Sequence, residues 1–159
     1  MKGAAEALLS AARARNWRIA TAESCTGGLL GAALTDIPGS SEVFECGYIT
    51  YSNAAKTAML GAKPGLIAAH GAVSEPAALA MAQGALSASN TDLAIAVTGV
   101  AGPGASEKKP AGLVWIAIAT QAETRAYRHD FSPAGRGEVR RLSVEAALGL
   151  AIQAIGAAP

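Results

Sequence analysis

The stretch best equipped for chemistry is Glu23-Ser24-Cys25-Thr26-Gly27-Gly28. A serine followed by a glycine-rich turn that opens a helix sets a hydroxyl beside free backbone N–H groups, and the glycines admit a substrate close to the chain. The same arrangement suits an oxyanion hole or a phosphate cradle. It equally suits a serine that does no more than cap a helix. A serine hydroxyl is a weak nucleophile and needs a base. The two histidines are His70 and His129, the second inside an expected strand, and no Gly-x-Ser-x-Gly elbow occurs. A lysine held neutral by burial or by nearby cations replaces histidine in Ser–Lys hydrolases. Lys56 is the best-placed lysine, because it follows a strand end and shares a helical face with Asn53. Its plain alternative is a solvated surface lysine.

Other residues gather around this pair by position. Tyr51 relays a proton or stacks on a ring, or is simply a half-buried tyrosine at a strand end. Thr98 and Gly99 close an apolar strand where a hydroxyl would meet a ligand, or would bond within its own loop. Arg136, Arg140 and Arg141 cluster at the start of the last expected helix. Guanidinium groups match phosphate with paired donors, although a cationic run is also a common solvated face.

Several chemistries are excluded. Gly99, Gly102 and Gly104 do not make the dinucleotide fingerprint, and Gly102 to Lys108 does not make a P-loop. No His, Cys or carboxylate group has zinc-ligand spacing, and no carboxylate pair suits glycoside-type acid–base work. No cofactor or metal is expected. A net charge of +1 gives no field for nucleic acid or an anionic membrane. Cys25 and Cys46 are too few for a disulfide scaffold. Charges interrupt each apolar stretch before the ~20 residues a membrane span needs, and the N-terminal segment does not read as a signal peptide. The cytoplasm is the expected location.

The elements that must position these residues follow from periodicity. The 159 residues, 51% hydrophobic and 16% charged, suit a single domain over 1–159. Helical spacing covers about 3–15, and a buried strand spans 17–22. The Ser-Cys-Thr-Gly-Gly turn then opens a helix that runs through Leu34. A strand over 43–51 precedes a short helix with Asn53 as cap, and 64–71 reads as an irregular connection. Ser74-Glu75-Pro76 starts a helix with Leu79, Ala82 and Leu86 on its inner face. Asp92 to Thr98 suits a strand buried on both faces. A glycine- and proline-rich loop with a charged middle covers 99–110, and strands over 113–120 and 124–131 form a hairpin. A last helix over 136–155 turns Val139, Leu142, Ala146 and Leu150 inward. This order predicts the α/β class: a three-layer α/β/α sandwich on a mixed, mostly parallel sheet of about five strands. In such sheets ligands collect beyond the carboxyl ends of the strands, which would bring the four candidate loops to one rim.

Six blocks, TAESCTGG, TDIPGSS, FECGYITYSNAAK, HGAVSEPAA, DLAIAVTGVAGP and EKKPAGLVWIA, run in order from Thr21 to about Ile116. Together they resemble the CinA C-terminal domain family, whose stand-alone members are nicotinamide-nucleotide amidases. The resemblance implies hydrolysis of nicotinamide mononucleotide to nicotinic acid mononucleotide and ammonia, in pyridine-nucleotide recycling. It places the nucleophile on Ser24 and the activating pair on Tyr51 and Lys56. Thr98 and Gly99 are expected at the substrate, with one of Arg136, Arg140 or Arg141 assisting with phosphate or orientation. Backbone N–H groups from Cys25 through Thr26 and Gly27 to Gly28 are the expected oxyanion donors. The resemblance also implies a homo-oligomer and a small-molecule nucleotide as partner. Many relatives carry this domain behind a larger one with pyrophosphatase activity, a function not expected of this segment. Two other readings stand beside the amidase: a serine amidase acting on another small carboxamide, and a non-catalytic nucleotide-binding or competence-associated interaction module.

Overall fold

Large and small side chains alternate along the central strand and set the architecture. The computed structural model describes residues 1–158. In it the strands are β1 (Ile19–Glu23), β2 (Phe44–Ile49), β3 (Leu93–Gly99), β4 (Leu113–Thr120) and β5 (Thr124–Asp130). They form one sheet in the order β2-β1-β3-β4-β5. β1 pairs parallel with β2 and β3, while β4 is antiparallel to both β3 and β5. Four of the five strands therefore point the same way, and the carboxyl ends of β1, β2, β3 and β5 share one edge.

Successive strand residues face opposite sides of a sheet. On one side Ile19, Leu93, Ile95, Val97, Val114, Ile116 and Ile118 make a bulky face. Three helices cover it: α1 (Lys2–Ala14), α2 (Leu29–Thr35) and α6 (Arg136–Ala157), through Leu8, Leu9, Leu30, Leu34 and Leu148. The other side is alanine: Ala22, Ala94, Ala96, Ala117 and Ala119. Against it lies α5 (Glu75–Ser89), itself presenting Ala78, Met81, Ala82 and Ala85. Small residues on both partners let this helix approach the sheet closely. α3 (Asn53–Leu60) and α4 (Pro64–His70) pack outside α5 in the same layer. Contact between α3 and α5 is tight enough that a Cβ on Gly84 would sit 2.0 Å from the Leu60 carbonyl oxygen.

The expected α/β/α sandwich is thus present, with four differences of detail. Residues 64–70 are helical rather than irregular: Pro64 stands in the first turn, where its missing N–H costs nothing. Ser52, not Asn53, caps α3, accepting from Ala55 N–H at 3.0 Å. α5 buries its alanine face, leaving Leu79 and Leu86 only half-buried. α6 buries Ser143, Val144, Ala147 and Leu148 instead of Leu142, Ala146 and Leu150, which are half-buried. In both long helices, packing against two neighbours widens the apolar face beyond the stripe that simple spacing picks out.

Candidate active site

Ser24 is the first residue beyond β1, tied to the sheet by its N–H donating to the Val97 carbonyl at 2.9 Å. The turn after it is held by the residue before it. Glu23 is 1% exposed, and its carboxylate accepts from the N–H groups of Gly28 (3.1 Å), Leu30 (3.0 Å) and Gly31 (2.8 Å). The side chain that caps α2 is therefore Glu23, not Ser24, and the helix dipole and three donors offset the buried charge. Gly27 and Gly28, at φ of 57° and 97°, adopt the left-handed backbone this reversal needs.

Two of the four expected oxyanion donors are consumed inside the turn. Gly27 N–H goes to the Ser24 carbonyl and Gly28 N–H to Glu23. Those of Cys25 and Thr26 donate to no other residue among the described residues. Burial pushes the thiol of the neighbouring Cys25 up to about 11, which keeps it protonated near neutrality.

Lys56 reaches this turn from α3, where it is 1% exposed. Its Nζ lies 3.1 Å from Ser24 Oγ, 2.8 Å from the Thr50 carbonyl and 3.3 Å from the Tyr51 carbonyl. None of its hydrogen-bond partners is a carboxylate. Burial pushes its pKa down from the ordinary 10.5, with a smaller opposing pull from Glu107 and then Cys25. Tyr51 meets Lys56 through its backbone; its hydroxyl instead lies 3.4 Å from an Arg136 Nη.

A second wall comes from the end of β3 and the long loop after it. Thr98 is fully buried, and its hydroxyl donates to the Ala72 carbonyl at 2.8 Å, a partner outside its own loop. Glu107 binds the opposite side of the same residue, accepting from Ala72 N–H at 2.8 Å. Lys109 donates to the Val73 carbonyl at 3.1 Å. Ser106 and Lys109 close a two-residue turn whose middle residues, Glu107 and Lys108, have φ of 50° and 59°. This backbone sits at a modest steric cost for non-glycine residues.

The three arginines part company. Arg136 reaches the cavity and donates to the Gly102 carbonyl at 2.7 Å. Arg140 runs beneath the serine turn and donates to the Thr26 carbonyl at 2.8 Å, buttressing the turn. Arg141 is paired with Glu138 and Glu145 along the exposed side of α6. Of the expected residues, Ser24, Cys25, Tyr51 and Lys56 line one cavity of about 270 Å3. Thr98, Gly99 and Arg136 complete that wall, whereas Thr26, Gly27, Gly28, Arg140 and Arg141 do not line it. Sequence reasoning missed Glu107 as a lining residue, although it marked the charged middle of that loop. Asn53, read as a helix cap on the face of Lys56 and given no role of its own at the site, also lines the cavity. Among the described residues no His, Cys, Asp and Glu group could hold a metal ion, and no helix is long and apolar enough to cross a membrane.

Comparison with known proteins bears on the family and the fold. Residues 1–155 match the CinA C-terminal domain. Nicotinamide-nucleotide amidohydrolase PncC of Escherichia coli K12 is 48% identical over 139 residues, covering 87% of this chain and 84% of that protein. A CinA-like protein of Syntrophobacter fumaroxidans is 50% identical over 137 residues, 86% of this chain but 32% of the longer relative. Among solved structures, competence damage-inducible protein A of Klebsiella pneumoniae superposes with a TM-score of 0.96 at 34% identity, over 99% of this chain and 98% of the other. Competence/damage inducible protein CihA of Agrobacterium tumefaciens gives 0.93 at 40% identity, over 98% and 94%. Matched over residues 1–155 and 48% identical to a relative covered over 84% of its length, this chain belongs to the CinA C-terminal domain family.

Proposed function

We propose that the protein hydrolyses the carboxamide of nicotinamide mononucleotide, releasing ammonia and nicotinic acid mononucleotide, with Ser24 as nucleophile and Lys56 as its base. The carrying observation is the set of three partners around Lys56 Nζ. Two are backbone carbonyls, which only accept, and they take up the two N–H bonds of a neutral amine. The third direction, toward Ser24 Oγ, is left for the lone pair, where it receives the hydroxyl proton. Burial of the amine favours that neutral form. A purely structural lysine would be expected to bring a carboxylate partner.

In the reaction, Ser24 Oγ attacks the carboxamide carbon as its proton passes to Lys56. The Cys25 N–H, the unspent turn donor whose residue lines the cavity, serves the resulting oxyanion. The lysinium returns its proton to the departing nitrogen, ammonia leaves, and an acyl-enzyme remains. Water then attacks with Lys56 again as base, giving the carboxylic acid and regenerating Ser24. Arg136, beside the mouth of the cavity, meets the phosphate. Thr98 acts by holding Ala72, not by touching substrate, and Arg140 by holding the serine turn. The substrate choice is supported by the 48% identity to PncC, and the product would feed pyridine-nucleotide recycling.

The test is ammonia release from nicotinamide mononucleotide by the purified protein, beside Ser24→Ala. Turnover that disappears in a folded mutant supports the reading, and mass-spectrometric detection of the acyl-enzyme on Ser24 completes it. Turnover retained in Ser24→Ala would remove the nucleophile assignment. Turnover of neither protein would remove the activity.

A further inference from the structure

The cavity carries one carboxylate, and nothing in the proposed amide hydrolysis uses it. Five ionisable side chains line the space: Cys25, Tyr51, Lys56, Glu107 and Arg136. The thiol is held protonated and burial favours a neutral Lys56. That leaves Glu107 as the anion and Arg136 as the cation. Glu107 is fixed on one side, since Oε2 accepts from Ala72 N–H at 2.8 Å. Its Oε1 has no partner among the described residues. It stands on the wall shared with Thr98, because both residues grip Ala72.

For amide hydrolysis alone this placement is unhelpful. A carboxylate favours the charged, non-basic form of Lys56 and opposes a developing oxyanion. A cationic group on the substrate reverses both effects, by offsetting the carboxylate and disfavouring a charged Lys56. Nicotinamide mononucleotide is such a molecule. Its pyridinium ring is positive where the carboxamide is attached, and its phosphate is negative at the other end. Glu107 and Arg136 offer one charge of each sign in the same cavity.

Resting on the proposed amidase reading, we propose that Glu107 is a specificity-determining residue that selects substrates whose carboxamide ring is positively charged, the oxidised pyridinium over the neutral dihydropyridine. Opposite charges in direct contact, even with the carboxylate as exposed as Glu107 is, attract enough for about a tenfold preference, equivalent to about 1.4 kcal/mol. The same charge disfavours the anionic carboxylate of the product and assists its release.

The experiment is a cycle of two enzymes and two substrates. Wild type and Glu107→Gln are each assayed for ammonia release from nicotinamide mononucleotide and from its 1,4-dihydro form, at one mildly alkaline pH. The two substrates share ribose, phosphate and carboxamide and differ in ring charge. Their intrinsic reactivities differ, but this cancels in the ratio of ratios. In Glu107→Gln the side-chain amide oxygen still accepts from Ala72 N–H, so the loop keeps its tie. The expected result is a fall of about tenfold or more in kcat/KM for the cationic substrate, with less than about threefold change for the neutral one. An equal loss on both substrates, or no loss on either, would overturn the role of Glu107 while leaving the amidase intact. Failure of wild type to hydrolyse either form would overturn the amidase reading and this inference with it.

Discussion

Replacing Lys56 by methionine removes the amine while nearly preserving the volume of a side chain that is 1% exposed. Two opposing effects on stability follow. The Thr50 and Tyr51 carbonyls lose the donor now at 2.8 and 3.3 Å, at about 1–3 kcal/mol for the buried Thr50 acceptor and less for the part-buried Tyr51 one. Against this, the cost of holding an amine out of water disappears. The two are separable by pH. Burial sets the Lys56 pKa below 10.5 in the folded protein. Between that lowered value and 10.5 the unfolded chain binds a proton that the folded one does not, so wild-type stability rises with pH. The slope reaches up to ~1.4 kcal/mol per pH unit. Below the window the amine is charged in both states and its burial cost is fully felt; above 10.5 the contribution is flat. Lys56→Met lacks this contribution. Urea unfolding of both proteins at several pH values up to 10 should therefore give a stability difference that moves in favour of wild type as pH rises. Over the same interval wild-type kcat/KM should climb with pH and then level off, while the mutant falls by about 10²–10⁴-fold. A stability difference independent of pH from neutrality to 10 would refute a neutral Lys56, and the proposed base with it.

Three further substitutions probe how the site is held and how it takes its ligand. Gly84→Ala should lower stability by about 2–3 kcal/mol, since its Cβ would meet the Leu60 carbonyl oxygen at 2.0 Å. Because Leu60 ends the helix that carries Lys56, specific activity of the folded fraction should also fall. Thermal unfolding with kinetics below the transition checks both, and an unchanged Tm would refute the close approach of α3 and α5. Arg136→Gln should raise KM for the nucleotide about tenfold with a smaller change in kcat. Arg141→Gln, which breaks only exposed pairs with Glu138 and Glu145, should leave KM unchanged and stability within about 0.5 kcal/mol. Equal KM effects in steady-state assays would refute the division of roles.

What was legible in the sequence was mostly local. Ser24 beyond β1 and Lys56 in the helix after β2 could be read because strand ends and turn residues mark the rim where parallel strands end. The position of Pro64 misled, being a helix breaker by composition and a helix starter by place. What could not be read depended on contacts between distant segments. Glu23 looks like one more loop acid until the chain turns back and sets three N–H groups on it. Thr98 and Glu107 both take Ala72, a residue with no side-chain chemistry to announce it. The three arginines are near neighbours in sequence, yet helical rotation sends Arg136 to the cavity, Arg140 under the serine turn and Arg141 to the acids of its own helix. Spacing alone had no means of dividing them.

The unequal faces of the sheet bear on how this domain drifts over evolutionary time. On the side of α1, α2 and α6, large aliphatic residues meet one another, and exchanges among leucine, isoleucine and valine keep volume roughly constant. On the side of α5, alanine meets alanine, and every enlargement must push a whole helix outward. That helix packs on α3, so the displacement would reach Lys56. Substitution should therefore accumulate on one face and be purged from the other. The alanines at 22, 94, 96, 117 and 119 would lie under selection for catalysis although none of them lines the cavity.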